Sequence, residues 1–167
     1  RFLEAIDSYP QTPNSFRNTV DPVLFRFLCG TGCRLSEALN LRIADFDYQL
    51  GAVTVRHAKN NRSRIVPLCT SLTKRIHSYI DRFHMGCSSD AYLFPGAKRG
   101  KMDRSTAYTH FRDYLLMADI PHPKDGPRIH DWRHTLAVEN LRRWSAEGLD
   151  LCNMVPYLTA YLGHQDF

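Results

Sequence analysis

The feature that most constrains this chain is a change of period near its middle. "GAVTVRHA" and "SRIVPL" alternate and carry β-branched side chains, and the polar run "KNNR" lies between them. Alternation is a period of two and belongs to strands, whereas recurrence every three or four residues belongs to helices. Residues 52–68 therefore read as a β-hairpin with Lys59 at its tip. Nearly everything around the hairpin has helical spacing. The expected fold class is mainly α with a small antiparallel β-sheet.

The helical segments can be placed from their ends. Residues 1–8 look helical, with Phe2, Leu3 and Ile6 on one side. Asp21-Pro22 reads as the start of a second helix, the Asp capping and the Pro in the first position. It runs through "VLFRFLC" to Gly30-Thr31-Gly32. Another helix opens near Arg34, with Leu35, Ala38, Leu39 and Leu41 as its apolar face. A helix over 71–83 is expected to be capped by Ser71 or Thr70, and Asp103 should cap a helix over 104–118. Residues 85–103 and "DIPHPKDGPR" read as loops, and two final helices cover about 130–146 and 151–162. At 167 residues this is one domain, with a core of ordinary size.

Composition excludes some classes. No apolar run approaches the ~20 residues that cross a bilayer, and "RFLEAIDSYP" lacks the pattern of a secretory signal, so no membrane partner is expected. The five cysteines are irregularly spaced, which without export implies reduced intracellular thiols. Cys29 and Cys33 lie four apart, but two ligands do not make a zinc site, and core packing is their expected role. A formal charge of +5 is compatible with a polyanionic partner and does not by itself establish one.

Four features carry potential chemistry. In "GTGCRLSEALNL", Glu37 stands one helical turn after Arg34, where it can orient the arginine or simply pair with it at the surface. Lys59, at a hairpin tip, is either solvated or able to reach into a groove. In "RIHDWRHT", Arg128, His130, Arg133 and His134 gather at a helix start, which favours anions; a structural cluster packed by Trp132 is the plainer reading. His130 and His134 lack an evident third zinc ligand. Finally, Gly163 should end the last helix and turn His164 inward.

The order of these features resembles the catalytic domain of the tyrosine recombinases, the phage integrase family. "GTGCRLSEALNL" is similar to the family's first arginine box, "HDWRHTLAV" to its His-x-x-Arg box and "YLGH" to the start of its third box. The resemblance covers nearly the whole chain and implies the DNA breaking-rejoining enzyme fold. It implies that Arg34 and Arg133 bind the scissile phosphate of double-stranded DNA, that His130 and His164 add hydrogen bonds, and that His130 takes the proton of the nucleophile. Lys59 would protonate the departing 5′-oxygen, and Glu37 would support the arginines from behind. No metal and no cofactor are implied.

In the family the nucleophile is a tyrosine after the Gly-His pair, a position that would fall beyond Phe167; Tyr157 and Tyr161 precede His164 and do not match it. The chain is thus expected to be a single catalytic domain, residues 1–167, without the N-terminal DNA-clamping domain or the nucleophile segment, and unable to cleave alone. The 31 positions from Arg133 to His164 include "RRWSAEGLDLCNMVPYLTA", which resembles recombinases of transposons and other mobile elements. The resemblance also implies a tetramer on paired sites at full length, and a cytoplasmic, nucleoid-associated location. Two other readings stay open: a non-catalytic DNA-binding relative, and a type IB topoisomerase-like enzyme.

Overall fold

The computed structural model describes residues 1–13, 15–56, 63–123 and 126–163. Within them the chain forms α1 (Phe2–Asp7), α2 (Arg17–Thr31), α3 (Leu35–Ala38), β1 (Phe46–Asp47), β2 (Ala52–Val55), β3 (Arg64–Pro67), α4 (Thr70–Phe83), α5 (Arg104–Met117), α6 (Asp131–Ala146) and α7 (Leu151–Leu162). The three strands form one antiparallel sheet in the order β1-β2-β3. The mainly α class with a small antiparallel sheet is therefore what the chain adopts. β1 was not foreseen: two residues are too few to show alternation.

The α2 helix is the axis of the molecule. Val20, Leu24, Phe25, Phe27 and Leu28 are fully or almost fully buried, and α1, α3, α4 and α6 pack around them. Phe25 meets Phe2, Phe111 and Trp132, whose rings stand 5.9–6.2 Å from it, so one aromatic cluster ties α1, α2, α5 and α6 together. On the other side Leu72, Ile76 and Tyr79 of α4 and the strand residues Val53, Val55 and Val66 complete the core. The expected loop 85–103 also contributes, since Leu93 and Phe94 are fully buried and the Leu93 amide donates to the Leu41 carbonyl.

Several expected boundaries move. The second helix begins at Arg17, so Asp21 is no cap and Pro22 lies inside the helix. Tertiary contacts override the local signal. Arg17 is buried, donating to the Tyr114 hydroxyl at 3.0 Å, Asp113 at 2.7 Å, Tyr9 at 3.1 Å and the His110 carbonyl at 3.2 Å. Asp21, one turn on, is wholly buried, accepting from Tyr114 at 2.8 Å with His110 Nδ1 also at 2.8 Å. Holding both residues inside requires the helix to start early, although Pro22 cannot donate to the carbonyl four residues back. The helix passes through Gly30 and ends at Gly32 in the left-handed conformation, φ 62°.

Smaller corrections follow the same logic. The helix opening near Arg34 is only four residues long, with Arg34 as its N-cap. α4 is capped by position at Cys69 rather than by Ser71 or Thr70. Leu3 faces outward, while Ala5 and Ile6 form the buried side of α1. Cys29 is exposed on α2 and Cys33 is buried beyond its cap, so they do not share a helix face. No helix among the described residues is long and apolar enough to cross a membrane.

Removing one partner of a buried ion pair strands the other charge. Arg17→Met is expected to lower stability by about 3 kcal/mol, read from urea denaturation. The double change Arg17→Met/Asp21→Asn should cost less than Arg17→Met alone, because it removes the stranded charge.

Candidate functional site

The site grows from the end of α2. A side chain at position 32 would put its Cβ 2.9 Å from Leu136 of α6 and 3.1 Å from Leu162 of α7, so glycine lets three helices converge there. Its positive φ turns the chain, and Arg34 emerges at the start of α3 in an extended conformation. The Arg34 amide donates to Glu37 Oε2 at 2.9 Å and its guanidinium to Oε1 at 3.0 Å. The Arg34–Glu37 relation foreseen from spacing is thus present, and it is an internal contact: the Glu37 side chain is only 7% exposed.

The sequence reading missed Arg64. It lies on β3 and donates to both Glu37 oxygens, at 2.9 and 2.8 Å. Its register opposite Val55 puts it on the same side of the strand as buried Val66, with Ile65 facing out. That signal existed in "SRIVPL", where a period of two joins Arg64 to Val66 rather than to the solvent side.

Arg133 comes from the first turn of α6 and is 3% exposed. It donates to the Gly32 carbonyl at 2.9 Å and to the Leu162 carbonyl. Arg34 reaches the Gly163 carbonyl at 3.3 Å and Arg64 the Tyr161 carbonyl at 3.1 Å. Three guanidiniums from three distant segments thereby hold three successive carbonyls at the end of α7. These carbonyls have no intrahelical donor and mark the negative end of the helix dipole, so cations are favourable there.

Gly163 ends α7 in the left-handed conformation, φ 68°, as its position suggested. A Cβ there would lie 3.0–3.3 Å from the Arg64 guanidinium, so the residue must be small as well as left-handed. Lys59 and His164 lie outside the described residues.

His130 takes the N-cap position of α6 and is exposed. Its ring meets that of His134 edge-on at 4.9 Å. Partial burial, then the charges of His134, Arg133 and Arg34, push its pKa below the ordinary histidine value. A neutral imidazole beside two arginines is suited to accept a proton. Arg128, also in the expected cluster, is exposed; its amide donates to Asp131 at 2.7 Å.

The electrostatics favour an anion. Among the described residues, Glu37 is the one carboxylate set among Arg34, Arg64 and Arg133. Burial opposes its ionisation, but hydrogen bonds from Arg64 and from the Arg34 amide hold its pKa at about 2. Burial and the charges of Arg34 and Arg64 lower Arg133 to about 10, so it stays charged at neutral pH. The cluster therefore carries two positive charges in excess, in a setting where a phosphate would relieve their repulsion. Burial pushes the Tyr161 phenol up to about 12, and Tyr157 is exposed on the outer side of α7. Among the described residues no group of three or more metal-ligating side chains occurs.

Comparison with known proteins gives a consistent result. The model of the phage integrase family matches residues 2–166. Over 150 residues the chain is 32% identical to tyrosine recombinase XerD of Yersinia pestis, covering 87% of this chain and 46% of the relative. The crystal structure of XerA recombinase superposes with a TM-score of 0.76 at 29% identity, over 99% of this chain and 52% of that one. XerH site-specific recombinase, solved bound to its difH substrate, shares the fold with a TM-score of 0.72 at 24% identity, over 99% of this chain and 44% of that one. The chain spans about half the length of the curated relatives it matches.

The depressed Glu37 pKa sets an acid limit on stability. A carboxylate whose folded pKa is lowered stabilises fully above its unfolded pKa, and that stabilisation is lost as pH falls through the folded value. For Glu37 the window runs from about pH 4.5 down to about pH 2. The loss is about 3 kcal/mol. Chemical denaturation at both ends of the window should show the difference between the native chain and Glu37→Gln shrinking as pH falls.

Proposed function

This chain belongs to the phage integrase family, the tyrosine recombinases, and from that premise we propose that its arginine cluster binds the scissile phosphate of double-stranded DNA for strand cleavage and rejoining. The observation that carries the proposal is the excess of guanidinium over carboxylate: three arginines surround one buried glutamate. Arg34 and Arg133 would each fork onto a non-bridging oxygen and stabilise the charge that develops in a pentacoordinate transition state. Glu37 and Arg64 hold Arg34 in place. The arginines supply the positive charge, so the reaction as proposed draws on no metal and no cofactor.

The cleavage step would proceed as follows. A tyrosine on a segment following His164 attacks phosphorus and gives up its proton to His130, whose pKa burial and the charges of His134, Arg133 and Arg34 lower. The bond from phosphorus to the 5′-oxygen breaks as the tyrosyl bond forms, leaving a 3′-phosphotyrosine. Lys59 protonates the departing oxygen, and His164 donates a hydrogen bond to the phosphate. Reversal with a 5′-hydroxyl from another strand completes the exchange. The phosphodiester energy is kept in the covalent bond, so no external energy source enters.

The Tn1549 transposon integrase, of the same fold, was solved in complex with circular intermediate DNA, which supports DNA as the partner here. On this reading the full-length protein acts as a tetramer on paired sites, on the DNA of a mobile element. The location that goes with such work is the cytoplasm, at the nucleoid.

The test is covalent capture. Full-length protein incubated with a nicked duplex that traps the intermediate should give a protein–DNA adduct stable to denaturing electrophoresis. Arg34→Ala or Arg133→Ala should reduce it at least a hundredfold, the loss of one transition-state donor. Duplex binding without any adduct in the native protein would point instead to a non-catalytic DNA-binding relative. Supercoil relaxation without pairing of two sites would point to a topoisomerase-like activity.

A further inference from the structure

We propose that the solvent face of α4 is a second phosphate track, which holds duplex DNA outside the arginine cluster. The proposal rests on duplex DNA being the partner. Ser71, Lys74, Arg75, Ser78 and Arg82 are all exposed and follow the three-to-four residue spacing of one helix face. They border a groove of about 550 Å³ against the start of α2, where Asn18 and Thr19 add polar groups and Val23, Tyr79 and Phe83 form an apolar floor. Among the described residues no acidic side chain lines the groove. The single acid of α4, Asp81, stands at the edge of the face and points to His77, 3.6 Å away.

Arg17, Arg26, Arg34, Arg56, Arg64, Arg142 and Arg143 each face a carboxylate. Lys74, Arg75 and Arg82 have no ion-pair partner among the described residues. Lys98, Lys101, Arg104 and Arg112 are also exposed without an ion pair among the described residues, but what sets the α4 cations apart is that they share one helix face. Three unneutralised charges on one face repel one another, which a bound polyanion would relieve.

Position and length fit the backbone of a duplex. α4 runs antiparallel to α2: Leu72 lies beside Gly30, near the arginine cluster, and Phe83 packs on Phe16 at the far end, 5.1 Å between rings. The face thus starts beside the site and leads away from it. Lys74 to Arg82 spans about 12 Å of helix, the axial rise of roughly three to four phosphates on one strand. Arg99 extends the line, its guanidinium 4.5 Å from the Phe83 ring centre at the end of the groove.

The test is the salt dependence of binding between this chain and a fluorescent duplex, followed by anisotropy. The triple variant Lys74→Gln/Arg75→Gln/Arg82→Gln should lower the slope of log K against log salt by about 2.7, since each phosphate contact contributes about 0.9. All three positions are exposed, so the fold should be unaffected. The control Arg142→Gln/Arg143→Gln removes paired charges elsewhere and should leave the slope unchanged. An unchanged slope in the triple variant overturns the proposal, as does an equal fall per charge in the control, which would mean that only net charge matters. Tighter binding of polyglutamate than of DNA, lost in the triple variant, also overturns it and reassigns the face to an acidic protein. If the native chain binds no duplex, both this proposal and the DNA reading of the arginine cluster fail. If it binds with a slope that the triple variant does not change, only this proposal fails.

Discussion

The carboxylate of Glu37 is the contact on which the rest of the site depends. It is buried, and burial alone would favour its neutral form. The hydrogen bonds from Arg34 and Arg64 reverse that preference and keep it charged. The charge in turn determines where two guanidiniums stand, one from the turn after α2 and one from the sheet. Without it, two partly buried cations would stand near Arg133 with no counter-charge between them. The sheet therefore has a purpose beyond its size: β3 brings in Arg64, and β1 and β2 fix the register that points it inward.

The same arginines connect this turn to the last helix. Helix C-termini need donors for their final carbonyls, and anion sites need cations held in place. Arg34, Arg64 and Arg133 each donate to one carbonyl of residues 161–163, and on the proposed function the same side chains would serve the anion. The convergence depends on Gly32, where α2, α6 and α7 approach too closely for any side chain. The site is thus built from backbone approach first and from charge second.

Much of this was legible in the sequence, for identifiable reasons. The fold class followed from one change of period, and the α6 and α7 boundaries from their flanking signals. The Arg34–Glu37 relation and the placement of Arg133 at a helix start came from local spacing, which one helix turn encodes. What was not legible was non-local. Asp21 and Pro22 look like a helix start, and only the buried partners Tyr114 and His110, some ninety residues away, show why the helix begins earlier. The period of two in "SRIVPL" puts Arg64 on the side of Val66, but nothing local shows that its partner there is Glu37, 27 residues earlier. The family resemblance in the three boxes was carried by residues that keep their meaning without context.

The left-handed turn at Gly163 has a further consequence. Its carbonyl is held by Arg34, and the Arg64 guanidinium closes off the space where a Cβ would stand. The polypeptide therefore leaves α7 from a fixed origin inside the cationic cluster, and not from a free end on the surface. Whatever follows is tethered to the cluster by a single covalent step. On the function proposed above, a nucleophile on that segment would reach the phosphate intramolecularly, with the loss of translational freedom already met when the domain folds. An active site completed by such a tether is governed by chain geometry, and mutations that alter the exit angle would change its rate without touching a reacting group.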